Sequence, residues 1–180
     1  MKKILLTLLA ALFTVLAPAR AAQELPEKFD PTRDAAADVA TAIAMARAQG
    51  KRVLVDVGGE WCSWCRLLDH FVATNDDVRK LRDDHYVWVK VNWSPQNRNE
   101  ALLSRWPKIK GYPHFFVLDG KGRMIHSQNT GLLEAGAGYD KKKMLAFLRR
   151  YRAPAAGPAR NRAGTSMGVT HSIGVFRTDV

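Results

Sequence analysis

Apolar positions along the middle of the chain follow two alternating rhythms. Between Asp34 and Gln49, Val39, Ile43, Met45 and Ala46 recur at helical spacing among many alanines, and Gly50 ends the pattern. Val53-Leu54-Val55-Asp56-Val57 is a short apolar run closed by Gly58-Gly59, which predicts a buried strand. Leu67, Leu68, Phe71 and Val72 form a second helical face, and Asn75 or Asp76 caps a further turn carrying Val78 and Leu81. Tyr86 to Val91 is β-branched and aromatic, a second strand. Asn99 to Trp106 reads as helix stopped by Pro107. Phe115 to Leu118, the turn Asp119-Gly120-Lys121-Gly122, and Met124 to His126 read as a hairpin. Met144, Phe147 and Leu148 stripe a last helix that Asp140 caps.

Both ends of the chain break this rhythm. Lys2 and Lys3, the apolar run from Ile4 to Leu16, Pro18 and Ala19-Arg20-Ala21 together predict an export signal over residues 1–21, cut after Ala21. The run is shorter than the roughly 20 residues a membrane span needs. Export implies a compartment where disulfides persist, most simply a bacterial periplasm. Residues 22–33 form a polar, Pro-containing lead-in with Phe29 as its one large aromatic. Residues 153–180 read as a flexible basic tail rich in Gly and Pro, with a weak strand pattern from Ile173 to Phe176.

With 180 residues, 47% hydrophobic and 25% charged, the chain has the make-up of one globular domain, which excludes a disordered or polytopic membrane protein. Its formal charge is +11. Cleavage would remove Lys2, Lys3 and Arg20 but no acid, lowering this to +8. The one tight basic run, Lys141-Lys142-Lys143, follows a helix cap and reads as a solvated face. Scattered charge and export both argue against a nucleic-acid partner.

Only two cysteines are present, in Trp61-Cys62-Ser63-Trp64-Cys65-Arg66. Where a strand ends and a helix begins, this spacing brings both sulfurs within disulfide reach. The first cysteine then sits at a helix N-terminus, where orphan N–H groups and the dipole favour a thiolate. Arg66 acts in the same direction. Cys62 is therefore expected to attack and Cys65 to resolve. A structural disulfide closing so short a loop would restrain the unfolded chain little. Zinc would need about two more ligands, and haem attachment needs His where Arg66 stands.

Asp56 lies six residues before Cys62, inside the apolar strand. It is either turned to solvent at a strand edge or buried with a raised pKa, placed to relay a proton to or from Cys65. Lys90, on the neighbouring strand, is either its charge partner or an exposed lysine.

These features resemble the thioredoxin superfamily, nearest to exported thioredoxin-like proteins with a W-C-x-W-C active site. Residues Val53 to Cys62 match the strand leading into that site, Lys90-Val91-Asn92 the central strand with its lysine, and Lys110 to Leu118 the loop bearing a cis-proline. The resemblance covers roughly residues 34–152. It implies an α/β thioredoxin fold, a central mixed β-sheet flanked by helices. It also implies Cys62 as nucleophile, Cys65 as resolving cysteine, Asp56 as buried acid and Lys90 as its companion. Pro113 would be cis, with the Tyr112 backbone pairing with an extended substrate segment. The chain departs from ordinary thioredoxins in having Ser63 and Trp64 between the cysteines. It also carries His114 after the cis-proline, where His114 is either a tuner of the Cys62 thiolate or a surface residue without a role. Trp61 and Trp64 flank the thiols as an apolar docking rim.

The expected protein is thus a periplasmic thiol–disulfide oxidoreductase, a monomer with no cofactor beyond its Cys62–Cys65 pair. The reading favours a reductant of disulfide-bearing partners, recharged by a membrane-embedded thiol conductor. The alternative from another class is a copper-handling module with Cys62, Cys65 and His114 holding Cu(I). A third is a thioredoxin-like binding protein whose cysteines are vestigial.

Overall fold

The computed structural model describes residues 24–154. The expected export signal, the Ile173–Phe176 strand and nearly all of the basic tail lie outside the described residues. Four strands, β1 (Arg52–Gly58), β2 (Tyr86–Asn92), β3 (His114–Leu118) and β4 (Met124–Asn129), form one sheet in the order β2-β1-β3-β4. β1 runs parallel to β2 and antiparallel to β3, and β3 is antiparallel to β4, so the sheet is mixed. Helices α1 (Ala35–Gln49) and α4 (Glu100–Leu103) serve one face. Helices α2 (Ser63–Thr74), α3 (Asp76–His85) and α5 (Lys141–Tyr151) serve the other.

β1 reads as an unbroken apolar run because it is central and buried on both sides. Val53, Val55 and Val57 pack toward α1 with Val87, Val89, Val91, Phe116 and Leu118. Leu54 packs toward α2, α3 and α5 with Tyr86, Phe115 and Val117. The side-chain period of two then places Asp56 and Gly58 on the α2 face, beside Leu54.

Helix α1 is capped at both ends. The Asp34 carboxylate accepts the N–H groups of Ala36 and Ala37, and Gly50 closes the helix at φ 65°, a conformation glycine takes without penalty. Its buried face is mostly alanine, with Ala42 and Ala46 fully enclosed, so the helix lies close against β1 and β2. Arg33, just before the helix, donates to both oxygens of the buried Asp38 and to the Glu24 carbonyl, fastening the lead-in to the domain.

The structure corrects several expectations. Helix α4 spans only Glu100–Leu103, not Asn99 to Trp106. Asn99 is left-handed at φ 49°, and Trp106 turns into the core to pack on Phe116, 4.7 Å between ring centroids. The turn after Asn75 is a full ten-residue helix. A 3-10 turn (Thr130–Leu133) and a two-stranded ribbon, β5 (Glu134–Ala135) with β6 (Gly138–Tyr139), had no counterpart in the pattern. Lead-in residue Phe29 is a core residue that packs against both cysteines.

The alanine face of α1 leaves no room for larger side chains, so Ala42→Leu should destabilise the protein by about 1–3 kcal/mol in urea unfolding, although leucine ranks next to alanine as a helix former. An unchanged midpoint would mean that α1 is not held this close to the sheet.

Candidate active site

The cysteines stand where β1 hands over to α2. Cys62 is the N-cap of the helix, and its sulfur accepts the Cys65 N–H at 3.2 Å. The two are joined as a disulfide with Cα atoms 5.2 Å apart. The Cys62 N–H donates to the Gly59 carbonyl, which closes the turn that presents the pair. Because a thiolate at Cys62 would face the same unpaired N–H groups and the positive end of the helix dipole, this position favours the charged form. The Arg66 guanidinium is held nearby through the Glu60 carbonyl.

Glycine is required just ahead of the pair. A Cβ on Gly58 would sit 2.5 Å from the Cys65 sulfur, and one on Gly59 would sit 2.2 Å from the Trp61 indole nitrogen. The backbone therefore approaches the disulfide closely from beneath, while Phe29 covers the same spot from the lead-in. The Phe29 N–H donates to the Glu60 carboxylate at 2.9 Å.

Asp56 is fully buried, and neither carboxylate oxygen has a hydrogen-bond partner among the described residues. It lies two residues before Gly58 on the same sheet face, about 7 Å along the strand and beneath Cys65. Lys90, directly opposite on β2, holds its ammonium 3.6 Å from Asp56, too far for a hydrogen bond. That ammonium instead bonds Asp69 of α2 at 2.5 Å and lies 4.2 Å above the Phe29 ring. Burial therefore raises the Asp56 pKa to about 7, Lys90 only partly offsetting it and Asp69 adding to it. The indole N–H of Trp88 is also unpaired and buried, and Lys90 and Asp69 open onto a cleft of about 630 Å³.

The Tyr112–Pro113 bond is cis, and Pro113 is buried with its carbonyl held by the Thr130 hydroxyl. Tyr112 packs against the cysteines and stacks on Trp93 at 4.9 Å. Trp61 is 52% exposed, edge-on to both rings, and its indole donates to the Trp93 carbonyl. Trp64 lies half-buried on the other side of the pair, edge-on to Tyr139.

Eight of the residues singled out in the sequence thus gather around the disulfide: Cys62, Cys65, Asp56, Lys90, Trp61, Trp64, Tyr112 and Pro113. His114 stands apart. It is buried, not on the surface, and register with Val57 puts its side chain on the α1 face, opposite Asp56. Its Nε2 pairs with Ser127, its Nδ1 has no partner, and burial lowers its pKa to about 4. Among the described residues no cluster of three or more His, Cys, Asp or Glu is arranged to hold a metal. Sequence reasoning missed Asp69, Phe29 and Thr130. Only Asp69 carried a signal, four residues after Cys65 and so on the same helix face.

Asp56 and His114 pull stability in opposite directions with pH. Asp56, raised from 3.8 to about 7, favours the fold at low pH and loses that contribution as pH climbs through its folded value. His114, lowered from 6.5 to about 4, favours it above 6.5 and loses that contribution on acidification. Asp56→Asn in the oxidised protein should therefore be roughly 2–4 kcal/mol more favourable, relative to native, at pH 8 than at pH 4. Urea unfolding across that range measures it, and a pH-independent difference would rule out a raised Asp56.

Comparison with known proteins agrees with this arrangement. A thioredoxin-like family model matches residues 34–120. The thiol:disulfide interchange protein DsbD of Pseudoalteromonas atlantica is 27% identical over 96 residues, 53% of this chain and 16% of that protein. The DsbD of Tatumella citrea is 27% identical over 110 residues, 61% of this chain and 18% of that protein. The chain thus spans less than a fifth of the length of these curated relatives. A crystal structure described as a disulphide isomerase from Xylella fastidiosa superposes with a TM-score of 0.59 at 26% identity, covering 71% of this chain and 96% of that one. Mixed sheet, helix-capping cysteine pair and family match together show an α/β thioredoxin fold and support a protein of the thioredoxin superfamily.

Proposed function

We propose that this protein is a thiol–disulfide oxidoreductase of the periplasm, working as a reductant of disulfide-bearing partners. The observation that carries the reading is the Cys62–Cys65 disulfide at the start of α2 above a buried, unpaired Asp56. The matched stretch of the DsbD proteins supports the same chemistry. The export pattern of residues 1–21 supports the compartment. Among the described residues, no helix is long and apolar enough to cross a membrane.

In the reduced protein the Cys62 thiolate attacks one sulfur of a substrate disulfide. That bond breaks, a mixed disulfide forms with Cys62, and the first substrate thiolate leaves and takes up a proton. Cys65 then gives up its proton, with Asp56 as the acceptor, and attacks the Cys62 sulfur. The second substrate thiolate leaves and takes up a proton from solvent, and the intramolecular disulfide forms. Two electrons have moved from the dithiol to the substrate. From Asp56 the proton leaves to solvent on the side of the cleft that Lys90 and Asp69 line. An external dithiol must then reduce the pair again, which is the place of a membrane thiol conductor. Trp61 and Tyr112 flank the approach to Cys62, and the Tyr112 backbone is available to pair with an extended substrate segment.

Reduction of insulin disulfides by dithiothreitol should be accelerated by the native protein and not by Cys62→Ser. Cys65→Ser should instead accumulate a mixed disulfide with the substrate, visible as a mass increase that reductant removes. Turnover by Cys62→Ser would overturn the reading.

A further inference from the structure

The aromatic group beside the disulfide does not end at the active site. Trp93 and Tyr112 also line a cleft of about 610 Å³ between α4 and the segment from Trp106 to Ile109. Its floor is apolar, from Leu103, Trp106 and Ile109, all half-buried. Its rim is charged. Arg98 and Lys108 stand exposed there against one acid, Glu100, which is 3.7 Å from Arg98 and itself exposed. The cleft therefore carries an excess of positive charge over a greasy base.

Continuity with the reacting sulfurs is direct. Tyr112 packs against the cluster of Phe29, Cys62 and Cys65 and stacks on Trp93 at 4.9 Å, and both rings line the cleft. A chain extended across the cis-proline would reach it within about three to five residues of its cysteine, at about 3.3 Å per residue. Burying one large side chain on the floor and pairing one carboxylate at the rim would add affinity without touching the sulfurs.

We propose that this cleft is a second anchoring subsite for the polypeptide whose disulfide is exchanged, taking a large apolar side chain followed by an acidic residue. The inference rests on the oxidoreductase reading and names the class of substrate it would prefer. It selects protein segments over small disulfides, and acidic segments over basic ones.

The test uses the reduced full chain and synthetic peptides whose single cysteine is held in a mixed disulfide with thionitrobenzoate, with its release followed by colour. Each peptide carries Phe-Asp, Phe-Lys or Ser-Ser about four residues from the cysteine, on either side. On one side, Phe-Asp should exceed Ser-Ser by about tenfold in kcat/KM, mostly through KM, with Phe-Lys between them. Charge reversal at the exposed Lys108, Lys108→Glu, should invert the order of Phe-Asp and Phe-Lys. Equal rates for all peptides, or an order that Lys108→Glu does not change, would overturn the subsite. Failure of the native chain to release thionitrobenzoate from any peptide would overturn the oxidoreductase reading and the subsite with it.

Discussion

A carboxylate enclosed without a hydrogen-bond partner is the constraint around which this site is organised. Burying an unpaired charge costs several kcal/mol, so Asp56 relieves the penalty by holding its proton up to about pH 7. It remains buried because its strand is central, with a helix packed over each face of the sheet. Lys90, the one cation within reach among the described residues, is shared with Asp69 and covered by Phe29, so it cannot fully neutralise the acid. The outcome is a group that can accept or return a proton near neutral pH, two residues along the strand from the glycine that touches the Cys65 sulfur.

The disulfide, in turn, depends on close approach. Two glycines bring the end of β1 up against Cys65 and Trp61, and the first turn of α2 then places Cys62 at the helix N-terminus. That gives the two sulfurs unequal surroundings. Cys62 accepts the Cys65 backbone N–H and lies next to exposed Trp61, whereas Cys65 is closed in by Gly58 and Phe29. The proposed roles, attack by the first and resolution by the second, rest on this asymmetry.

Much of this was legible in the residues. β1 announced itself because a strand buried on both faces reads as an unbroken apolar run, and Asp56 stood out as the charge within it. The C-x-x-C spacing between strand and helix needed no tertiary information. Other features depended on contacts that sequence patterns do not carry. Leu102, Leu103 and Trp106 have helical spacing, yet the helix ends because Trp106 finds a place against Phe116. The β5–β6 ribbon is two residues per strand and rich in glycine and alanine, too short to show alternation. Asp69 looks like an ordinary polar helix residue, and its meaning lies in a lysine 21 positions away. Phe29 is a lone aromatic in a polar stretch, and only the fold shows that it seals the interior of the site. His114, readable either as a surface residue or as a tuner of the thiolate, is buried and faces the other side of the sheet, a placement that only the strand register reveals.

The account turns on the ionisation of Asp56 in the intact, oxidised protein. Carbon-13 labelling of aspartate and an NMR pH titration of the side-chain carboxyl shifts would read it directly, with Asp56→Asn identifying the resonance. The account predicts an inflection near pH 7, well above that of the exposed aspartates. An inflection near the ordinary carboxylate value of about 4 would show that Lys90 or solvent already neutralises the buried charge, and would remove the proton acceptor from beneath the cysteine pair.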